Sequence, residues 1–480
     1  MLFNSYAFIL LFLPLTVAIF HLCRRLGWGR GAIVSLALAS LAFYGWWSLK
    51  GLALLVVLMA VNFGLVQWLI RERDGPRARA KAALAAGLVF NLAVLGYFKY
   101  ANFFLTTVDQ LTGLKLALVT VGLPLGISFF TFQKIALLVD CYRGKVDRMG
   151  ILEYVLFVSF FPQLIAGPIV HHSEVVPQFR AQAPVTATVA AQGLAIFTLG
   201  LAKKVLLADH LGAVASPIFA AAGEGPVDFG QAWIAALAYT LQLYFDFSGY
   251  SEMAIGCALL FGVRLPLNFD SPYKSSSIIE FWRRWHMTLS RFLRDYLYIG
   301  LGGNRHGKVR RYLNLFLTML LGGLWHGAGW TFLLWGALHG VYLIVNHAWR
   351  AIAAGRSPSS IGRLAGAILT FLAVVAGWVL FRAPNFDTAR SIYLGMAGFN
   401  GIGAPTTEQT TAMMLVAPLL ALVWIGPNTQ TLTGYVPDGA TQAASWRARF
   451  ATARALATGA LFACAFLSLT KVSEFLYFQF

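Results

Sequence analysis

Apolar stretches close to twenty residues long recur along this chain, separated by short clusters of Lys and Arg. A helix needs about 20 mostly apolar residues to cross a bilayer core, so that rhythm admits few folds. Candidate spans lie at 5–22, 32–49, 52–70, 82–98 and 121–139, then at 151–166, 189–207, 229–246 and 247–263. After a polar break come 313–347, interrupted by GGLWHGAGW, and last candidates at 364–381, 411–426 and 455–471. With 58% hydrophobic and 12% charged residues, 480 residues carry more apolar surface than a soluble globule can bury. The expected fold is all-α: one polytopic transmembrane helical bundle over residues 1–480. About eleven to fourteen crossings are expected, including re-entrant segments where Gly and Pro break the apolar run.

The basic clusters orient the chain. HLCRRLGWGR (21–30), RERDGPRARAK (71–81) and YRGKVDR (142–148) alternate with loops poor in Lys and Arg. The positive-inside rule then puts residue 1 outside the cytoplasm and accounts for the net charge of +18 without nucleic acid. No basic region precedes the apolar stretch from Phe8 to Phe20 and no A-x-A-like site follows it, so it reads as a membrane segment rather than a removable signal. Residues 264–312 hold ten Lys or Arg against Asp270, Glu280 and Asp295, which marks a cytoplasmic, basic, amphipathic segment. HAWRAIAAGR (347–356) and SWRARFATAR (445–454) send the last helix outward, so the aromatic tail 472–480 emerges on the outer face. Cys23, Cys141, Cys257 and Cys464 have no ligand-like spacing, and neither a metal nor a disulfide is expected.

Three stretches could carry chemistry. In LNLFLTMLLGGLWHGAGWTFLLWGALHG (313–340), His326 lies deep in an apolar run among Gly322, Gly323, Gly327 and Gly329. An imidazole at that depth needs a partner or a wet cavity. A satisfied core histidine is the bland reading, and the glycine-rich interruption favours a shaped cavity. In EFWRRWHMTLSRFLRDYLYIGLGGNRHGKVRR (280–311), Phe281, Trp285, Leu289, Phe292 and Tyr296 recur as one helical face, while His286 falls with Trp282, Leu289 and Leu293. Arg283, Arg284, Arg291 and Arg294 supply a basic side. It suits membrane lipid headgroups, or an anionic donor such as a coenzyme A thioester or a phosphopantetheine arm. In YTLQLYFDFSGYSEMAIG (239–256), Gln242, Asp246 and Tyr250 stack at i, i+4, i+8. Asp246 there either holds a catalytic His or Arg or is purely structural. The adjacent His171 and His172 are poor geometry for one metal, FSGYS is not a nucleophile elbow, and GLGGNR lacks the Lys-Ser/Thr of a phosphate loop.

These residues resemble the membrane-bound O-acyltransferases, and within them the bacterial alginate O-acetylase branch. The resemblance rests on MLFNSYAFILLFLPL, GYFKYANFF (96–104), LPLGISFFTFQKIALLVDCYRG (123–144) and FFPQLIAGPIVHHSEVVPQF (160–179), with YFDFSGYSEMAIG, FWRRWHMTLSRFLRDYLYIGLGGNR and GGLWHGAGWTFLLWGALHG. It is specific from residue 1 to about 350 and rests on hydropathy from 350 to 470; Glu252 stands where the family is expected to have Asp. The resemblance implies a bacterial inner-membrane enzyme with a central funnel, with His326 of the WHG motif at its narrow centre and His286 of the RRWH motif as the second histidine. It implies transfer of an acetyl group from acetyl-CoA or an acyl-carrier thioester, with no tightly bound cofactor, to a periplasmic acetyltransferase partner. Alginate is the branch's usual polymer; cellulose and peptidoglycan are acetylated by similar proteins, and D-alanylating relatives serve teichoic acids.

A thioester acceptor needs a nucleophile, a base and oxyanion stabilisation. His326 is the expected base, since an imidazole of ordinary pKa about 6.5 can take a hydroxyl proton at physiological pH. His286, Asp246 or a backbone amide near Gly327 could support the oxyanion or orient the base. In the D-alanylating relatives a small partner ends in F-x-Y-x-x-F, whose tyrosine is thought to carry the acyl group. Phe475, Tyr477 and Phe480 repeat that pattern in FLYFQF, which makes Tyr477 the expected acyl relay; the alternative is an interfacial aromatic belt. A transporter of a lipid or acyl donor, working without covalent chemistry, is the reading from another class, and the absence of an internal repeat weighs against it.

Overall fold

The computed structural model describes residues 1–73, 75–120, 122–353, 359–437 and 451–469, together with Leu476. Helices account for the regular structure, with no strand among the described residues. Among the described residues six helices are long and apolar enough to cross a membrane: Ala7–Arg25, Leu49–Arg71, Arg77–Thr112 (α1), Ala187–Glu224 (α2), Ser360–Arg382 and Thr407–Ile425. Gly29–Gly45 and Thr452–Leu467 are shorter apolar helices. The helices that frame the site are completed by Phe229–Leu259 (α3), Gly307–His326 (α4) and Trp330–Ile352 (α5).

Two expected spans merge. The apolar runs 229–246 and 247–263 form the single helix α3, opened by a capping box between Asp228 and Gln231. The glycines inside it serve close packing and do not break it: a Cβ on Gly200 of α2 would stand 2.5 Å from the Gly249 carbonyl oxygen, and one on Gly256 would stand 2.5 Å from that of Gly193. Small residues are what let two membrane helices meet backbone to backbone. Gly249→Ala is therefore expected to lower the thermal midpoint of purified protein clearly. Gly64→Ala, at a position where a Cβ meets nothing within 4 Å, should leave it unchanged; equal midpoints for the two variants would contradict the seam.

Elsewhere an expected span shortens or folds back. Within 151–166 the helix Ile151–Ser159 stops where Phe160 leaves helical geometry, and a single turn, Phe161–Leu164, starts afresh with Pro162 in its first positions. The run 313–347 is a hairpin, α4 and α5, turned at residues 327–329 and packed so closely at Gly323 and Gly336 that a Cβ at either would strike the other helix's backbone.

The basic loops are gathered at one end. Arg73 pairs with Asp147, Arg24 donates to the carbonyls of Gln182 and Ala183, and Arg180 grips Glu153 and the Arg148 carbonyl. Contacts at the other end join Tyr44 to the Leu125 carbonyl and Trp233 to that of Met396. Alternation of the loops in sequence thus reappears as a separation in space.

The stretch 280–311 departs from the continuous helix its periodicity suggests. Ile278–Arg284 ends at Trp285, and Met287–Phe292 begins afresh after His286, whose φ of 42° lies in the left-handed region. Phe281, Trp282, Trp285, Leu289 and Phe292 are all buried, so this segment is folded into the protein and carries its histidine inward. The expected single apolar face of an interfacial helix is thus split at Trp285–His286, and the break redirects the residues that follow it.

Candidate active site

Helix α4 ends on His326. Gly327 follows with extended backbone, so the last carbonyls of the helix have no partner in the next turn. The Gly327 amide reaches back to the Gly323 carbonyl at 3.4 Å. The next three are taken by side chains of α1: Tyr100 donates to the Leu324 carbonyl at 2.9 Å, and Lys99 Nζ to those of Trp325 at 2.6 Å and His326 at 3.0 Å. Both residues belong to a π-helical stretch, Gly96–Tyr100, that interrupts α1 beside α4's end.

The His326 ring is buried, with ring centroids of Trp325, Trp335 and Phe381 at 5.0, 5.1 and 5.2 Å. The His286 ring centroid lies 6.4 Å away, and Phe247 packs nearly perpendicular to His286 with centroids 4.7 Å apart. Asn268 fixes His286: its Oδ1 lies 2.9 Å from Nδ1 and also accepts from Thr288 Oγ1 at 2.9 Å. A carbonyl oxygen only accepts, so Nδ1 carries the hydrogen and a neutral His286 presents Nε2 as an acceptor. The left-handed backbone at His286 is thus held by a side-chain network, a kind of local strain that clusters at functional sites.

A cavity of ≈ 70 Å³ runs from exposed Leu123 through Leu125, Ser128 and Phe129 to Lys99, Trp325 and His326. Its rim lies at the end away from the basic loops, where Tyr44 holds the Leu125 carbonyl. His326 lines this cavity and His286 lies beside it, both among aromatic rings, so an imidazole is placed to exchange a proton with a hydroxyl that enters.

Other sequence candidates fall elsewhere. Asp246 does not hold a histidine: it pairs with Lys204 at 2.6 Å and accepts from the Leu476 amide at 3.0 Å, while Lys204 also binds Asp209 at 2.9 Å. Gln242 packs on Gly212, and Tyr250 stacks on Phe3 with ring centroids 4.8 Å apart, so that polar strip faces α2 and the N-terminal residues. Arg284 pairs with Glu280, Arg291 with Glu174 and Arg294 with Asp295, whereas Arg283 is exposed without an ion pair to a described residue. Tyr477, Phe475 and Phe480 lie outside the described residues. His171 meets Tyr296 at 2.9 Å, and Tyr296 in turn donates to Asp140 at 2.7 Å, a cluster beside the basic loops and apart from His326.

Lys99, Asn268 and the buried His339, whose ring is 4.8 Å from that of Trp335, were not singled out from sequence. For Lys99 the signal existed: a lone lysine inside the apolar GYFKYANFF, where an ionisable group at membrane depth asks for a partner.

Residues 83–381, which hold Lys99, Asp246, His286 and His326, match the description of MBOAT, the membrane-bound O-acyltransferase family. The chain belongs to that family. It is therefore a membrane acyltransferase, and the fold just described is that of its membrane domain. This acyltransferase is 41% identical to the probable alginate O-acetylase AlgI of Azotobacter vinelandii, with 100% of both chains covered. Similarity thus continues past residue 350, where the sequence motifs alone gave out. It is 42% identical to the peptidoglycan O-acetyltransferase of Helicobacter pylori over 84% of this chain and 81% of that one. To the teichoic acid D-alanyltransferase of Streptococcus thermophilus it is 30% identical over 47% of this chain and 57% of that one.

Proposed function

We propose that this acyltransferase takes an acetyl group from a thioester on the cytoplasmic side of a bacterial inner membrane and passes it outward for O-acetylation of an exopolysaccharide. The observation that carries the reading is the buried His286–His326 pair, of which His326 lines a cavity that opens away from the basic loops. Under the positive-inside rule those loops face the cytoplasm, so the cavity faces the periplasm and both chain termini lie on that side. Full-length similarity to an alginate O-acetylase supports alginate as the polymer. Peptidoglycan is the second reading, favoured by the Helicobacter pylori relative. Chemical analysis of ester acetate on each polymer, in cells with and without the gene, separates them.

In the proposed reaction the Tyr477 hydroxyl attacks the thioester carbonyl carbon as His326 Nε2 or Nδ1 takes its proton. The tetrahedral intermediate collapses with loss of the thiolate, which recovers the proton from the imidazolium, and an acetyl ester remains on the phenol oxygen. A nucleophilic hydroxyl of a periplasmic transferase partner then takes the acetyl group and regenerates Tyr477. The residue before it, Leu476, is itself buried and donates its amide to buried Asp246. The donor is acetyl-CoA or an acyl-carrier thioester, and exposed Arg283, with no ion pair to a described residue, is available to meet its phosphates or anionic lipid.

Membranes given acetyl donor should yield a C-terminal peptide carrying acetyl on Tyr477, and His326→Ala membranes should not. Tyr477→Phe should lose acetylation by at least about 10²-fold, as expected when a positioned nucleophile is deleted. Full activity in Tyr477→Phe with a persistently unmodified tail would sink the relay and leave direct entry of the acceptor.

A further inference from the structure

We propose that Lys99, with Tyr100, is the positioning residue that sets the catalytic histidine: it clamps the open end of α4 so that the His326 imidazole is held at the inner end of the cavity. This rests on the acyl-transfer reading above. The geometry is specific. Three consecutive carbonyls, of Leu324, Trp325 and His326, are taken by two neighbouring side chains of another helix. An α-helix ending in apolar surroundings must satisfy its last carbonyls or lose desolvation energy, and its negative dipole end favours a cation. Lys99 answers both needs at once.

Its remaining contact points the same way. Nζ lies 3.4 Å from Ser128 Oγ and 6.0 Å from the centre of the Trp325 ring, and Lys99, Ser128 and Trp325 all line the cavity with His326. The ammonium is thus attached to the backbone of the base and faces the space where the acceptor must arrive. The turn after α4, Gly327-Ala328-Gly329, has little side chain of its own; the Phe332 ring packs against Gly327 but offers no donor to the α4 carbonyls, which fall to Lys99 and Tyr100. Without the clamp, α4 can fray by one residue, and a shift of about 1 Å in a reacting group costs about 10²-fold in rate.

The test replaces Lys99 with Met, which keeps length and removes the ammonium, and with Arg, which keeps a cation with several donors; Tyr100→Phe removes one hydroxyl. Each is expressed in cells lacking their own copy, and ester acetate on the exopolysaccharide is measured beside the amount and thermal midpoint of the membrane protein. Lys99→Met should fall to a few per cent of the wild-type level at equal protein, Lys99→Arg should recover at least about a third, and Tyr100→Phe should drop about threefold. The conservative rescue is what a merely structural lysine would not give once protein amount is equal.

Lys99→Met retaining more than half of the wild-type acetate, or Lys99→Arg as inactive as Lys99→Met at full protein level, overturns the clamp. If Lys99→Met does not accumulate, Tyr100→Phe decides: wild-type acetate in that variant also overturns it. His326→Ala, measured in parallel, separates the two ideas, since an active His326→Ala overturns the acyl-transfer reading itself. An inactive His326→Ala beside a fully active Lys99→Met overturns only the clamp.

Discussion

His326→Ala is expected to remove O-acetylation, by roughly 10²- to 10⁴-fold if it acts as general base, while the protein still inserts in the membrane. The imidazole packs against Trp335 and Phe381, whereas the backbone seam of α4 and α5 is made at Gly323 and Gly336. Loss of the ring therefore opens a small cavity without separating the helices. Ester acetate on the polymer is the readout, with detergent-extracted protein run by size exclusion to show that it is folded. Acetylation retained at the wild-type level would contradict catalysis by this residue and return the transporter reading to contention.

The second large effect is on stability. Lys204→Met leaves the buried carboxylate of Asp246 without the cation that lies 2.6 Å from it. Breaking a buried pair from one side costs about 3–5 kcal/mol, because the remaining charge stays desolvated. The variant should melt well below wild type or fail to accumulate. Lys204→Met combined with Asp246→Leu should recover part of the loss, since the fully buried carboxylate is gone and only the partly exposed Asp209 has lost its contact with Lys204. The Leu476 amide loses its acceptor in that double variant, so recovery stays incomplete. A Lys204→Met protein that melts with wild type would show that the pair contributes nothing.

Much of this was legible in the sequence, and the limits have physical reasons. Hydropathy located the helices because each carries its own apolar surface, and His326 stood out because nothing near it in sequence could solvate it. The merging of 229–246 with 247–263 was hidden, because nothing in the sequence shows Gly249 and Gly256 lying against Gly200 and Gly193. The break at Trp285–His286 was hidden too, since an apolar face keeps its spacing on both sides of a single left-handed residue. Charges were the least legible. Arg291 pairs with Glu174, 117 positions away, and Asp246 meets Leu476, 230 positions away, distances over which no local pattern speaks. Lys99 had a signal of its own, but what it serves is the end of a helix more than two hundred residues later.

Helix α3 is 31 residues long, about 46 Å at 1.5 Å per residue, against a hydrocarbon layer of about 30 Å. Exposed to lipid, such a helix would have to tilt, kink or thicken the bilayer around it. From Leu243 to Leu259 it is buried except at Glu252, which is bound to Lys203. Its length is therefore matched to protein and not to lipid, so the element that carries Asp246 is insulated from membrane thickness. Changes in acyl-chain length should reach the outer helices first and leave the geometry of this inner strut unaltered.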